Sequence, residues 1–184
     1  MLMDNLYLTN YCETGGLPFR SITRLPEKKA YDMARMLSEK TTSRKNRYGD
    51  YFDTYYHKRL RTEEWLYDEF IKLGGKPETE HPIYFVLTEN QSLNDYFGNG
   101  IVNRISLSSI SSEHISFTPR DSMHLMDMGR YENTVWRIET LIKMFNESGM
   151  TISNFIDNIT AKYERPGGYI EVQLWSDRYL QHLG

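Results

Sequence analysis

The stretch Y-I-E-V-Q-L-W, residues 169–175, is the clearest strand pattern in this sequence. Its apolar residues alternate with Glu171 and Gln173, so the two sets of side chains lie on opposite faces of a strand. This alternation is typical of a sheet that packs one face on the hydrophobic core. The fold is therefore expected to be built around a sheet that contains this strand.

Four other segments have the length and composition of strands: residues 5–11, 82–88, 101–107 and 114–118. The 82–88 segment is apolar almost throughout, which predicts a strand buried on both faces. The 101–107 and 114–118 segments have the pattern of an antiparallel pair. The sequence thus predicts about five strands in a mostly antiparallel or mixed sheet.

Helical spacing of apolar residues predicts two longer helices in the N-terminal half and two shorter helices near residues 135–145 and 153–163. The second long helix is expected to begin after Asp50 as its N-cap and to end at L-G-G-K-P, residues 73–77. Residues 119–133 show no period and are expected to be irregular. The predicted fold class is α+β, with a single domain over residues 1–184.

The composition is that of a globular chain of one domain. Of its 184 residues, 39% are hydrophobic and 26% are charged, and 14 are tyrosines. The single cysteine, Cys12, cannot form an intramolecular disulfide, which favours a reducing compartment. The sequence shows no signal peptide and no apolar run long enough for a membrane helix. We therefore expect a cytoplasmic location and no membrane partner.

The charge is unevenly distributed along the chain. Residues 28–61 carry ten Lys or Arg against four acids, a net charge of +6, whereas the remainder carries −9. The 40–61 region also mixes cations with aromatic residues, a combination found in proteins that bind single-stranded nucleic acid. The overall charge of −3 argues against a nucleic-acid partner, and a solvated helix face explains the pattern more simply.

No cofactor or metal is predicted from the motifs. The five histidines and Cys12 do not have the spacing of metal ligands, and neither Gly-Gly pair belongs to a phosphate-binding loop. A small anionic ligand remains open, because an arginine and several polar strand residues could bind one.

Polar residues on three predicted strands or their ends form the candidate site. If the protein is an enzyme, Glu171 and Arg20 are the candidate catalytic residues, with Arg20 holding a phosphate. The candidate substrate-binding residues are Ser116, Thr118, Gln173 and Glu13. The simpler interpretation, which the alternation alone favours, is that this polar face of the sheet is open to solvent.

An arginine near the first strand, an S-x-T strand (116–118) and a late E-x-Q strand (171–173) resemble the pattern of ADP-ribosyltransferases. The stretch F-T-P-R-D-S-M, residues 117–123, is similar to a segment of the DNA-targeting toxins of that group. In those enzymes the arginine holds a phosphate, the serine supports the ribose and the glutamate stabilises an oxocarbenium ion. Here Gln173 stands where they have the glutamate, and Arg20 is outside the strand. The resemblance implies an enzyme that acts on a nucleotide-like substrate.

A second resemblance covers most of the chain. The stretches Y-L-T-N-Y-C-E (7–13), P-F-R-S-I (18–22), L-G-G-K-P (73–77), P-I-Y-F-V-L (82–87) and I-S-F-T (115–118), with the late Y-I-E-V-Q-L-W strand, resemble an uncharacterised family of small bacterial cytoplasmic proteins. That family brings no activity or catalytic residues.

The sequence alone favours a binding or interaction module that self-associates, with a homodimer as the expected state, because tyrosine is enriched at interfaces. An enzyme acting on a nucleotide-like substrate is the alternative, and nucleic-acid binding through residues 40–61 is the third. The sequence does not decide whether the protein is an enzyme.

Overall fold

The fold was analysed on a computed structural model, which describes residues 5–40, 48–163 and 168–181. Within these residues, five strands form one antiparallel sheet in the order β3-β1-β2-β5-β4. The strands are β1 (Tyr7–Cys12), β2 (Ile83–Leu87), β3 (Ile101–Ser106), β4 (Ile115–Thr118) and β5 (Glu171–Leu174). The predicted α+β class and all five predicted strands are confirmed. The expected pairing of residues 101–107 with 114–118 was wrong, because β3 and β4 lie at opposite edges of the sheet and pair with β1 and β5 instead.

Six α-helices accompany the sheet in the described part of the chain. They are α1 (Glu27–Lys40), α2 (Phe52–Lys72), α3 (Gln91–Tyr96), α4 (Ser122–Asp127), α5 (Ile138–Ser148) and α6 (Ile152–Ala161). Helix α4 lies inside the segment that was expected to be irregular. Its apolar residues span less than two turns, so no helical period is visible in the sequence. Asp121 caps it by accepting a hydrogen bond from the His124 backbone N–H at 3.0 Å.

The two ends of α2 test the predicted N-cap and the predicted glycine stop. Its C-terminus is where the glycine pair predicted it: Gly74 adopts a left-handed conformation (φ 86°) and the Gly75 N–H donates to the Phe70 carbonyl at 2.8 Å. Its N-terminus is not capped by Asp50. Tyr51 occupies the N-cap position without a side-chain cap, so that prediction was wrong.

The apolar face of the sheet forms the main core. Alternate strand residues such as Leu8, Phe85, Phe117 and Val172 pack there against the apolar sides of α5 and α6. This layer is buried because its strands and both amphipathic helices each present one hydrophobic side.

The opposite face of the sheet is covered by α2. Phe70 of that helix stacks on Trp175, just beyond β5, with ring centroids 6.0 Å apart. Leu66, Phe70 and Trp175 share a second buried cluster. All four residues of β4 and all four of β5 are buried. The expectation that the polar face is open to solvent was therefore wrong, because a long helix covers it.

Candidate active site

A cavity of about 230 Å³ lies on the polar face of the sheet, where α2 approaches β1 and β2. Residues of β1 and β2 line it, and these two strands pair at Leu8–Leu87 and Thr9–Val86. The polar or charged residues that line it are Thr9, Asn10, Tyr11, Arg20, Ser21, Tyr48, Tyr55, Arg59, Tyr84, Tyr96, Asp121, Tyr169 and Glu171.

Glu171 is the carboxyl group at the strand wall of this cavity, with only 4% of the residue exposed. Its Oε1 accepts hydrogen bonds from the Ser122 backbone N–H at 3.2 Å and from Gln173 Nε2 at 3.1 Å. Burial, and then the nearby carboxylate of Asp121, raise the pKa of Glu171 to about 7, against the opposing effects of Arg59 and these hydrogen bonds. The group therefore exchanges a proton near neutral pH.

Gln173, Ser116 and Thr118 form a hydrogen-bonded layer behind Glu171 and do not line the cavity. Ser116 Oγ donates to Gln173 Oε1 at 2.8 Å, and Gln173 Nε2 donates to Thr118 Oγ1 at 3.1 Å. Trp175 Nε1 in turn donates to Ser116 Oγ at 2.9 Å. These three of the four predicted substrate-binding residues are fully buried. Gln173 is the member of this layer that contacts the Glu171 carboxyl group, through its Nε2.

Asp121 is a second carboxylate on the same cavity. Its Oδ1 is held by the helix cap of α4, and its Oδ2 accepts a hydrogen bond from the Tyr169 hydroxyl at 3.3 Å. Burial, followed by the charges of Asp121 and Glu171, raises the pKa of Tyr169 well above its ordinary value, so this hydroxyl remains a donor. The two carboxyl groups thus differ in environment: one is fixed by a cap and a tyrosine, and the other titrates near pH 7.

Arg59 of α2 brings a largely buried cation to the cavity, with 13% of its side chain exposed. Its guanidinium carbon lies 4.1 Å from the centroid of the Tyr84 ring, an arrangement that favours a cation–π contact. Its Nε lies 3.9 Å from Glu63 Oε1. Its Nη1 is buried without a hydrogen-bond partner in the structure, and so is the hydroxyl of Thr9. Buried polar atoms are rarely unpaired, so both atoms are candidates to hydrogen-bond a ligand in the cavity.

Glu63 lies behind Arg59, and its side chain is completely buried. Its Oε2 is 2.7 Å from His81 Nδ1, and its Oε1 accepts a hydrogen bond from the Tyr84 hydroxyl at 3.1 Å. Burial raises the pKa of Tyr84 well above its ordinary value, so its hydroxyl stays protonated and donates to Glu63. Glu63 thereby holds both the ring beneath Arg59 and one edge of its guanidinium.

Of the two remaining predicted residues, Arg20 lines the cavity and Glu13 does not. Arg20 lines the same cavity as Glu171, as the enzyme hypothesis required, but it is exposed at the rim. Glu13 is half-buried and is not among the residues that line the cavity. The predicted convergence of Arg20, Ser116 and Glu171 is therefore met by two of the three residues.

Sequence reasoning did not place Arg59, Glu63 or Asp121 at this site, and it considered Arg59 only as part of the basic 40–61 region. A signal for the first two was present in α2: they occupy positions on the buried side of the helix that apolar residues fill in neighbouring turns, at i and i+4. Charged residues within an apolar stripe are seldom placed there without a partner or a role. Asp121 carried no comparable signal, since its approach to Glu171 depends on the tertiary fold.

Searches against protein-family models, curated proteins and solved structures found no match for this chain. In the described residues, no three histidine, cysteine, aspartate or glutamate side chains are grouped as metal ligands would be. None of the described helices has the length and apolarity needed to cross a membrane.

Proposed function

We propose that this protein is an enzyme that uses Glu171 for acid–base catalysis on a small anionic, nucleotide-like substrate. The observation that carries the proposal is a buried carboxyl group with a pKa of about 7 on a cavity that also holds Arg20 and Arg59. A general acid or base is most effective when its pKa is close to the working pH. Titratable groups shifted in this way are concentrated at functional sites.

The pair of carboxyl groups suits cleavage of a bond at a sugar carbon. Two neighbouring carboxyl groups, one of them with a raised pKa, are the acid and the charge-stabilising group of many glycoside-cleaving sites. Glu171 would give its proton to the leaving group as the glycosidic bond breaks, and Asp121 would stabilise the positive charge on the ring. Water would then add to the ring carbon and return a proton to Glu171. The net reaction is hydrolysis.

The tyrosines around the cavity supply surfaces for a ring. Tyr11, Tyr84 and Tyr96 line it together with Phe97, and Tyr11 stacks on Phe97 with their ring centroids 6.3 Å apart. Aromatic walls with a few polar groups are usual for small-molecule sites. This arrangement supports a ring-bearing anion more than an inorganic ion.

The test is release of free base from nucleotides. The full chain is incubated with nucleoside 5′-monophosphates, whose base takes up a proton as it leaves, and the freed base is measured by chromatography. We expect turnover that falls about a hundredfold or more in Glu171→Gln. Glu64→Gln, an exposed residue of α2, is the matched control and should keep full activity. Equal rates in Glu171→Gln and the wild type, or no base release from any compound, would refute the proposal.

Self-association is a separate proposal, supported by exposed tyrosines. Tyr51, Tyr96 and Tyr131 are 65%, 40% and 38% exposed, and tyrosine is enriched at protein interfaces. Light scattering of the full chain should give twice the monomer mass, and a monomer at all concentrations would end this proposal.

Nucleic-acid binding through residues 40–61 also stays a hypothesis. Arg44, Lys45 and Arg47 lie outside the described residues. Binding of a single-stranded oligonucleotide at low salt, weakening steeply as salt is added, would support it.

A further inference from the structure

We propose that the free edge of the Arg59 guanidinium binds a phosphate-type oxyanion, so that the substrate enters the cavity with its phosphate end innermost. This inference rests on the proposed function for the identity of the rest of the substrate. The inference goes beyond the proposed function because it places the anion at Arg59. Sequence reasoning did not select this residue for the site, and it lies in the interior of the cavity and not at its rim.

The guanidinium is held before any ligand arrives. The Tyr84 ring lies under its central carbon at 4.1 Å, and Glu63 lies beside its Nε at 3.9 Å. The Nη1 atom is buried without a hydrogen-bond partner, and Arg59 is one of the residues that line the cavity. Arginine presents several donors in a rigid plane, which matches the oxygens of a phosphate. A clamped guanidinium therefore loses little freedom when it binds one.

A second unpaired donor belongs to the same cavity. Thr9 is fully buried, lines the cavity and has a hydroxyl with no hydrogen-bond partner in the structure. The strand register places Thr9 opposite Val86, and Val86 opposite Glu171, in one row across the sheet. Two strand spacings separate Thr9 from Glu171, which is about 10 Å. A ligand of nucleotide size can span that distance.

Arg20 takes a different part in this arrangement. Because it is exposed at the rim, its charge is screened by solvent and its side chain is less restricted than that of Arg59. It is suited to attracting the anion and to covering the bound ligand. The buried cation, which is screened less, provides the fixed contact.

Glu63 is assigned as a positioning residue for Arg59. A purely coulombic view predicts that removing the Glu63 charge strengthens anion binding, since a negative group is lost near the cation. A positioning role predicts the opposite, because the guanidinium is released from its clamp. The sign of the effect of Glu63→Gln therefore distinguishes the two roles.

Inorganic phosphate is the probe. It is titrated into the full chain labelled with ¹⁵N-arginine, and the guanidinium signals of Arg59 and of Arg61, an exposed residue of the same helix, are followed by NMR. We expect the Arg59 signal to shift and the Arg61 signal to stay. Calorimetry should show that Arg59→Lys and Glu63→Gln each weaken phosphate binding about tenfold or more, whereas Arg61→Lys leaves it unchanged.

A saturating titration that leaves the Arg59 signal in place overturns the inference, as does equal phosphate affinity in Arg59→Lys and the wild type. Tighter binding by Glu63→Gln overturns the positioning role. Thermal unfolding and the amide spectrum of each variant verify the fold, and the NMR titration needs no substitution at all. If phosphate binds at Arg59 while no nucleotide is cleaved, the anion site stands and the proposed function fails.

Discussion

The two faces of the sheet are both buried, but by different means. On one face, residues such as Phe117 and Leu174 pack against α5 and α6 without polar groups. On the other, Ser116, Gln173 and Glu171 lie under α2 and are joined by hydrogen bonds. The apolar face gains stability from dispersion and water exclusion. On the polar face, a charged group and unpaired donors are held at a cavity, at a cost to stability. Such a cost is typical of functional sites.

The largest expected effect is on the apolar face. Phe117 is fully buried among strand and helix side chains, so Phe117→Ala should lower the free energy of unfolding by about 3–5 kcal/mol. Urea denaturation measures this loss. A loss under about 1 kcal/mol would mean that this face is not the main source of stability.

Next in size is the pH-dependent effect of Glu171. Its folded pKa of about 7 lies above the ordinary value of 4.5, so its contribution to stability is complete at low pH and is lost as pH rises through 7. The loss is about 3 kcal/mol. Glu171→Gln cannot ionise, so its stability relative to the wild type should improve by that amount between about pH 4 and about pH 8.

Urea denaturation of both proteins across this pH range checks the prediction, because the contributions of groups that do not interact with Glu171 cancel in the difference. Asp121 and Arg59 are unchanged in both. A difference that does not vary with pH would show that Glu171 titrates as an ordinary glutamate. The polar face would then not hold a carboxyl group with a raised pKa.

A smaller effect is expected for the hydrogen-bonded layer. Ser116→Ala leaves Trp175 Nε1 without its acceptor and Gln173 Oε1 without its donor, both in the buried interior. We expect a loss of about 1–3 kcal/mol in the free energy of unfolding. The exposed Ser92→Ala is the control and should unfold like the wild type. Equal stability of the two variants would show that the layer does not need its hydrogen bonds.

The smallest expected effect has the opposite sign. The Thr9 hydroxyl is buried and unpaired, so Thr9→Val, which keeps the shape, should raise the free energy of unfolding by about 1 kcal/mol. The same change should weaken phosphate binding if the hydroxyl contacts the anion. Reduced stability together with unchanged phosphate affinity would show that the hydroxyl is paired within the protein and serves packing.

Much of the fold could be predicted because its signals are local. Helix α2 ends at the glycine pair 74–75, where Gly74 adopts the left-handed conformation that glycine allows. Each strand pattern in the sequence corresponds to a strand in the structure. The short helix α4 was missed because two turns do not establish a period. The Asp50 cap failed because Tyr51 begins the helix without a side-chain cap, and nothing in the sequence separates the two positions.

The site could be predicted only in part. Glu171 was found because it interrupts an apolar alternation, and Arg20 because it follows the first strand. The same alternation also marks Ser116, Thr118 and Gln173. In the structure these residues form a hydrogen-bonded layer behind Glu171 and do not line the cavity. Alternation identifies the face of a side chain but not what covers that face.

The sequence by itself determined the strands, the long helices, the α+β class and the polar side of the last strand, because each depends on periods and turn residues within a short span. Only the tertiary structure decided that α2 covers the polar face and that Arg59 and Asp121 line the same cavity as Glu171. Those facts depend on contacts between segments far apart in the chain. The burial that raises the pKa of Glu171 is a property of their assembly, not of any one segment.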